Sequence, residues 1–236
     1  LYSIGPIFRR EKMQTGRYRE STQFNLEVIG EDKPMAEALL IAASYNFFQD
    51  LQANFQIQIN SLGKAECRKE YAGKLNNFYK ERGRRSKLCN NCKKYLGKNM
   101  MALLDCKEDA CQQLLKEAPQ IADCLSDESR NHFAKVLEYL DELNIPYNFN
   151  PYLVRGLSYY NDTVFEFWPL NDGGLAQGKL ALAGGGRYDT LVESLGGRPT
   201  PSVGLAIGLE RVVAKVKDRV IPPNFKEEVI FLAQLG

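Results

Sequence analysis

Two arginine-rich segments lie close together near the start of the chain. Residues 8–11 read Phe-Arg-Arg-Glu, and residues 16–19 read Gly-Arg-Tyr-Arg. Arginines on a strand–loop–strand unit can hold a triphosphate through bidentate, charge-assisted contacts, while a neighbouring glutamate accepts a hydrogen bond from an amino group. The same pattern is typical of the solvated tip of a hairpin. Taken alone, the hairpin favours the solvated tip, so further motifs must decide.

Two further segments carry chemistry of the same kind. Residues 153–160 read Leu-Val-Arg-Gly-Leu-Ser-Tyr-Tyr, and residues 204–211 read Gly-Leu-Ala-Ile-Gly-Leu-Glu-Arg. In this order and spacing, the hairpin and these segments resemble motif 2, the Arg-Gly-Leu-x-Tyr-Tyr signature and motif 3 of histidyl-tRNA synthetase, a class II aminoacyl-tRNA synthetase. The resemblance runs from residue 1 to about 222 and includes the glycine-rich run 183–189.

The resemblance implies an ATP site on the hairpin and motif 3. Arg9 would contact the α-phosphate and the substrate carboxylate, and Arg155 would be a second catalytic arginine on the α-phosphate. Glu11 would meet the adenine amino group, Arg17 the outer phosphates, and Arg211 would lie over the adenine. ATP and Mg²⁺ are therefore the expected cofactors.

The resemblance also implies a histidine pocket. Glu27 and Tyr160 would share the imidazole ring, and backbone at residues 184–186 would approach the ligand. A carboxylate and a phenol that reach both imidazole nitrogens reject amino acids without such a ring, because the buried polar groups would be left unpaired. The implied histidine-binding residues are Gln23, Glu27, Arg155, Tyr159 and Tyr160.

The activity implied is formation of histidyl-adenylate and transfer of histidine to tRNA(His). Adenylation needs no general base, because the amino-acid carboxylate is itself the nucleophile; arginines and Mg²⁺ must align it and neutralise charge on the α-phosphate. The alternatives are a non-catalytic histidine-binding regulatory subunit, of the ATP phosphoribosyltransferase type, and an inactive fragment. A histidine sensor needs no triphosphate clamp, so the arginines favour the enzyme.

Two positions depart from the family pattern. Ser21 stands where the family places a phenylalanine that stacks on adenine, and Ser158 stands where it places an aspartate. Stacking of a base on an aromatic ring is worth about 1 to 3 kcal/mol. ATP binding is therefore expected to be weakened about tenfold or more unless Tyr18 or Phe24 substitutes.

Four of the six cysteines form two closely spaced pairs. Cys89-x₂-Cys92 and Cys106-x₄-Cys111 have spacings that suit a tetrahedral zinc site, but reduced cysteines are the favoured interpretation, because one Cys-x-x-Cys is a modest signal and the family requires no metal. Basic residues crowd around the first pair, and this patch is expected to meet the tRNA backbone. They are Lys80, Arg82, Arg84, Arg85, Lys87, Lys93, Lys94 and Lys98.

The strands and helices that the sequence predicts must position these residues. Together they indicate an α+β fold of the class II synthetase type, which is a mainly antiparallel sheet flanked by helices, with a helical insert. Asp32 before Pro34 predicts a helix cap, Ser126 predicts another, and His132 is expected to be solvated. Strands are predicted at residues 1–8, 23–29, 55–60, 147–153, 163–168, 179–183, 202–207 and 229–233. Helices are predicted at residues 35–53, 64–82, 108–117, 126–143, 188–195 and 209–216, with an irregular stretch at 83–98.

These elements predict a catalytic core in residues 1–62 and 146–222, interrupted by a mostly helical insert in residues 63–145. Residues 223–236 are expected to begin an anticodon-binding domain. The resemblance places the chain's first residues at motif 2, so motif 1 and its dimer interface are expected outside the chain. A homodimer is expected for the complete enzyme.

Composition limits the remaining function classes. The 31 basic and 29 acidic residues leave a formal charge of +2, so any RNA contact must be local rather than driven by overall charge. Apolar runs are too short to span a bilayer, and the first ten residues carry no secretory signal. We therefore expect a cytoplasmic protein without membrane partners, whose cysteines are reduced or metal-bound.

Overall fold

A seven-stranded sheet runs through the residues that the computed structural model describes, which are 1–10, 16–171, 173, 174 and 180–217. Its order is β1-β2-β7-β6-β5-β3-β4, and only β3 and β4 are parallel neighbours. The strands are β1 (Tyr2–Phe8), β2 (Glu20–Ile29), β3 (Phe55–Ser61), β4 (Asn148–Phe149), β5 (Asn161–Pro169), β6 (Ala183–Arg187) and β7 (Ser202–Gly208). The predicted α+β class is confirmed.

Helices cover one face of the sheet and form the insert between β3 and β4. In the described residues they are α1 (Met35–Asp50), α2 (Ala65–Lys80), α3 (Arg84–Lys87), α4 (Asn90–Tyr95), α5 (Asp109–Leu115), α6 (Asp127–Glu142), α7 (Leu191–Ser194) and α8 (Leu209–Val216). Single 3₁₀ turns lie at Glu81–Gly83, Met100–Leu103 and Ile121–Cys124. None of the helices in this part of the chain is both long and apolar enough to cross a membrane.

The two faces of the sheet differ because successive side chains of a strand point to opposite sides. On one face, large apolar side chains of β2, β3, β5 and β7 pack beneath α1, α6 and α8 and form the sheet core. Each fully buried side chain of this kind stabilises the fold by about 1.5–3 kcal/mol. The strand residues of the sheet core are Phe24, Leu26, Phe55, Ile57, Ile59, Phe165, Phe167, Ala183, Leu205 and Ile207.

A second apolar cluster, the insert core, joins the insert to the other side of the sheet. Tyr71, Leu75 and Tyr79 lie along one face of α2 and are almost fully buried there. The same cluster includes Tyr160 and Val164, which belong to the sheet domain. The packing of the insert and that of the sheet residues around Tyr160 are therefore continuous.

Local sequence signals set several helix ends. Ser126 caps α6 as predicted, with its Oγ accepting a hydrogen bond from Ser129 N at 3.2 Å. The predicted cap at Asp32 was wrong: Pro34 is the N-cap of α1, and no side chain caps it. In the turn before α1, Lys33 N donates instead to Glu31 Oε1 at 3.0 Å.

Other predictions were displaced. Only Asn148–Phe149 forms a strand within the predicted 147–153, and the predicted irregular stretch 83–98 contains α3 and α4. The strand predicted at 179–183 lies further along the chain, as β6 (Ala183–Arg187). Gly184 to Gly186 lie in the interior of this strand. Glycine has little intrinsic preference for strands, so packing between neighbouring strands decides this assignment. The predicted strand at 229–233 and the domain beginning at 223–236 lie outside the described residues.

A buried ion network fixes β6 against the helices. Glu37 of α1 is fully buried and accepts hydrogen bonds from Arg187 Nε at 2.7 Å and Nη2 at 2.6 Å. The expected solvated position of His132 was wrong, since its Nε2 lies 2.6 Å from Glu37 Oε1 and its side chain is 18% exposed. Burial alone would raise the pKa of Glu37, but Arg187 and His132 outweigh it and lower that pKa.

Candidate active site

The face of the sheet opposite the sheet core is lined by very small residues at its centre. The registers of β2, β7, β6 and β5 place Glu27 opposite Gly204, and Gly184 opposite Glu166. Polar side chains from the outer strands therefore border a central area without large side chains. We call this area the small-residue surface; it consists of Gly184, Gly186, Gly204, Ala206 and Gly208.

Glu27 extends over this surface from β2. A Cβ atom at position 204 would overlap the Glu27 carboxylate, so glycine is required where the carboxylate lies. The Tyr188 hydroxyl donates a hydrogen bond to Glu27 Oε2. Burial raises the pKa of Glu27, and the Tyr188 hydrogen bond acts in the opposite direction. The result is an oriented carboxyl group that can accept or share a proton with a ligand.

Arg155 occupies the corresponding place over Gly184. Its guanidinium fills the space where a Cβ of residue 184 would stand, and it pairs with Glu166. Glu166 is itself held by Trp168, whose Nε1 donates to Oε2 at 3.0 Å. Burial opposes the charged form of Arg155, but Glu166 outweighs it and raises the pKa of the guanidinium. Arg155 is therefore a fixed positive charge on the site face.

Three tyrosines form a wall between the two charged groups. The rings of Tyr159 and Tyr160 are 4.7 Å apart between centroids, and Tyr188 meets them edge-on at 5.9 and 6.4 Å. The Arg155 guanidinium carbon lies 5.7 Å from the Tyr160 ring centroid. Aromatic walls beside a carboxylate and a guanidinium suit a small, flat and polar ligand.

Arg211 of α8 contacts the hairpin loop that carries the predicted residues Arg9 and Arg17. Arg9 N donates to Arg19 O at 2.8 Å and closes the strand pair, and Arg17 is exposed. Arg211 donates from Nε to Gly16 O at 3.1 Å and from Nη1 to Ala181 O at 2.8 Å. The first bond fastens the end of the hairpin loop to α8, and the second fastens the segment before β6 to the same helix. Glu11 lies outside the described residues.

The structure shows where Ser21 and Ser158, the two departures from the family pattern, lie in the fold. Ser21 and Gln23 share the site face with Glu27, because all three are odd-numbered along β2. Phe24 points to the opposite face, where its ring lies 6.4 Å from that of Phe47. Phe24 therefore does not replace the missing aromatic ring, which leaves Tyr18, 48% exposed at the base of the hairpin, as the remaining substitute. Ser158 is exposed.

Sequence reasoning missed two residues of the site. Tyr188, the partner of Glu27, follows the glycine-rich run, and its position directly after a central strand was the available signal. Glu166, the partner of Arg155, alternates with Phe165 and Phe167, which marks it as facing away from the sheet core. The four cysteines of the two predicted pairs also come together, in the insert and apart from these residues.

The architecture defines the class of the protein. A mainly antiparallel sheet that carries a small-residue surface, with an arginine-rich hairpin at one end and helix α8 with Arg211 beside it, is the fold of the class II aminoacyl-tRNA synthetases. Within that class, a family model for histidyl-tRNA synthetase matches residues 1–212. The chain belongs to the histidyl-tRNA synthetase family.

Individual relatives agree with this assignment. The chain is 42% identical over 238 residues to the histidine–tRNA ligase of Caldicellulosiruptor saccharolyticus and 40% identical over 238 residues to that of Clostridium novyi, covering 100% of this chain and 55% of each relative. The structure of apo Staphylococcus aureus histidyl-tRNA synthetase aligns with a TM-score of 0.70 at 32% identity, over 97% of this chain and 53% of that chain. The chain thus spans about half the length of the relatives it matches.

One structural neighbour bears the name of the alternative function. An ATP phosphoribosyltransferase regulatory subunit/histidyl-tRNA synthetase from Bacillus halodurans aligns with a TM-score of 0.57 at 20% identity, over 91% of this chain and 57% of that chain. At this identity the likeness shows the shared fold alone.

Proposed function

We propose that the chain is the catalytic core of a histidine–tRNA ligase, which activates histidine with ATP to histidyl-adenylate and passes histidine to tRNA(His). The observation that carries this proposal is the pair of charged groups on the site face. Glu27 and Arg155 are each held by a partner of their own, Tyr188 and Glu166, over positions where a Cβ would displace them. One group suits an imidazole and the other a phosphate.

Histidine would bind with its imidazole ring against the tyrosine wall. Glu27 would accept a hydrogen bond from one ring N–H, and the Tyr160 hydroxyl would bond to the other ring nitrogen. Gln23, on the same face of β2, and Tyr159 line the remainder of the pocket. An amino acid without two ring nitrogens would leave these groups unpaired, which supplies the selectivity.

ATP would lie along the hairpin with its α-phosphate towards Arg155. Arg9 orients the histidine carboxylate, which attacks the α-phosphorus while pyrophosphate leaves, and Arg155 stabilises the charge that grows on the α-phosphate oxygens. Arg17 and Arg211 hold the outer phosphates and the adenine, and Glu11 contacts the adenine amino group. Magnesium, arriving on the triphosphate, neutralises part of its charge.

Other surfaces of the chain support the partners that we propose. The basic patch around α3 and α4 is exposed apart from Arg84 and suits the tRNA backbone. At the edge of the sheet, β1 exposes Tyr2, Ile4 and Phe8 by 75%, 64% and 73%, which supports a homodimer in the complete enzyme. We further propose that residues 1–62 and 146–222 form the catalytic core around the insert, that residues 223–236 begin the anticodon-binding domain, and that the enzyme acts in the cytoplasm.

The proposal is tested by histidine-dependent exchange of pyrophosphate into ATP. We expect exchange by the chain, and its loss in Arg155→Ala with the melting temperature checked for both. Arg198→Ala, which removes an exposed arginine from a loop, is the matched control and should retain exchange. Histidine binding without exchange in the chain and the control would contradict the catalytic proposal and favour the regulatory, histidine-binding alternative.

A further inference from the structure

Four cysteine sulfurs converge in the insert, away from the candidate active site. Sγ atoms of Cys89, Cys92, Cys106 and Cys111 all lie within 4.8 Å of one another. Cys89 Sγ and Cys106 Sγ are 3.8 Å apart. Tetrahedral zinc with Zn–S bonds of about 2.3 Å requires sulfurs about 3.8 Å apart, so the cluster already has nearly the dimensions of a zinc–thiolate site.

Backbone N–H groups support the sulfurs across the two pairs. Cys89 N donates to Cys111 Sγ at 3.3 Å, and Cys92 N donates to Cys89 Sγ at 3.4 Å. Hydrogen bonds of this kind orient metal ligands and spread thiolate charge. Cys92 and Cys111 are buried while the other two are half-buried, so the cluster lies at the rim of the insert core.

The surroundings of the cluster suit a zinc–thiolate centre. A divalent cation that replaces the thiol protons would bind all four sulfurs at the distances seen here. Four thiolates around zinc leave two negative charges, and the exposed basic patch of residues 80–98 lies beside them.

Between α2 and α6 the insert consists of short helical pieces, so its order depends on the insert core and on any cross-link between these pieces. Its longest helix there, α5, has seven residues, and the rest are shorter helices and 3₁₀ turns. Helices of this length are not stable alone, and small units of this kind are commonly held by a metal or by disulfides. All six cysteines are unpaired in this structure, so a disulfide does not fill that role.

We propose that Cys89, Cys92, Cys106 and Cys111 bind one structural zinc ion that fastens the insert. The site is closed, because four protein ligands leave no coordination position for a substrate. Since the sulfurs are too close together for a multi-iron cluster, the metal is a single ion. Because the insert core continues to Tyr160, the ion also supports the wall of the proposed histidine pocket.

The test is metal analysis of the chain purified under reducing conditions without added metal, by native mass spectrometry and elemental analysis. We expect one zinc ion per chain and, after chelation and addition of Co²⁺, the visible bands of tetrahedral cobalt–thiolate. Cys89→Ser should lose most of the bound zinc, and Cys89→His should regain it, since histidine is also a zinc ligand. Cys124→Ser, a buried cysteine outside the cluster, should keep the full amount.

Three results would overturn the site. They are a folded wild-type chain that neither contains nor takes up zinc, a disulfide between cluster cysteines in place of metal, and equal zinc in Cys89→Ser and Cys124→Ser. Comparing the unfolding temperature of the chain with and without zinc gives a readout independent of catalysis. We expect stabilisation by zinc that Cys89→Ser abolishes and Cys124→Ser retains.

Discussion

Glu27 lies directly across from Gly204, its antiparallel partner on the neighbouring strand. The carboxylate occupies the space that a Cβ of residue 204 would fill, so any other residue there would displace it. The same relation recurs on the next strand, where the Arg155 guanidinium stands over Gly184. Glycines on two central strands therefore determine where both charged groups lie.

Gly204→Ala should strongly reduce histidine activation while leaving the fold intact. The added methyl group overlaps the Glu27 carboxylate and forces that side chain to move, and a misplacement of about 1 Å in an active site can cost about 100-fold in rate. Pyrophosphate exchange and calorimetric titration with histidine measure the loss. Gly5→Ala on β1, where nothing lies within 4 Å of the new Cβ, is the matched control. Equal activity of the two variants would refute the steric argument.

Tyr188→Phe should move the pH dependence of histidine binding. Burial raises the pKa of Glu27, and the hydrogen bond from Tyr188 lowers it, so removing the hydroxyl raises the pKa further. Histidine binding that needs the charged Glu27 carboxylate is lost as the pH falls through the pKa of Glu27. The acidic limb of the binding curve should therefore shift to higher pH, as measured by calorimetry. Tyr152→Phe, whose hydroxyl bonds Ala118 O instead, should leave the limb unchanged.

Much of the fold was predictable where the signal is local. The helix α8 (Leu209–Val216) has the predicted bounds, and α6 begins at the predicted cap, Ser126. The arginine hairpin forms as the paired strands β1 and β2, although β2 starts three residues earlier than expected. Periodicity and capping act over a few residues, so one sequence contains them.

The rest depends on contacts between distant positions. Gly184 to Gly186 were expected only to let the backbone approach a ligand, yet they form the centre of strand β6, where Arg155 and the neighbouring strands occupy the space beside them. His132 contacts Glu37 although the two residues are 95 positions apart in the sequence. No local pattern reports such pairings, so the partners of the charged residues had to come from the structure.

Ser21→Phe should strengthen ATP binding. Residue 21 shares the site face of β2 with Glu27, and Phe24 packs on the opposite face, so an aromatic ring at 21 would face the proposed nucleotide site. A stacked base adds about 1 to 3 kcal/mol, which predicts a decrease of about tenfold or more in the KM for ATP in the exchange assay. Ser86→Phe, an exposed serine in the insert, should change nothing. An unchanged KM in Ser21→Phe would place the adenine elsewhere.

Glu37→Gln should destabilise the fold strongly and in a pH-dependent way. The variant leaves Arg187 buried without its main carboxylate partner, and breaking a buried ion pair costs about 3–5 kcal/mol. Because Arg187 and His132 lower the pKa of Glu37 below 4.5, its contribution is complete above that pH and disappears as the pH falls through the lowered value. Urea unfolding at a series of pH values should show a gap between wild type and variant that is widest near neutrality and narrows in acid. As a control, Glu138→Gln, which removes an exposed partner of Lys135, should have almost the same free energy of unfolding as wild type at every pH. A difference for Glu37→Gln that stays constant with pH would mean that packing rather than charge is lost.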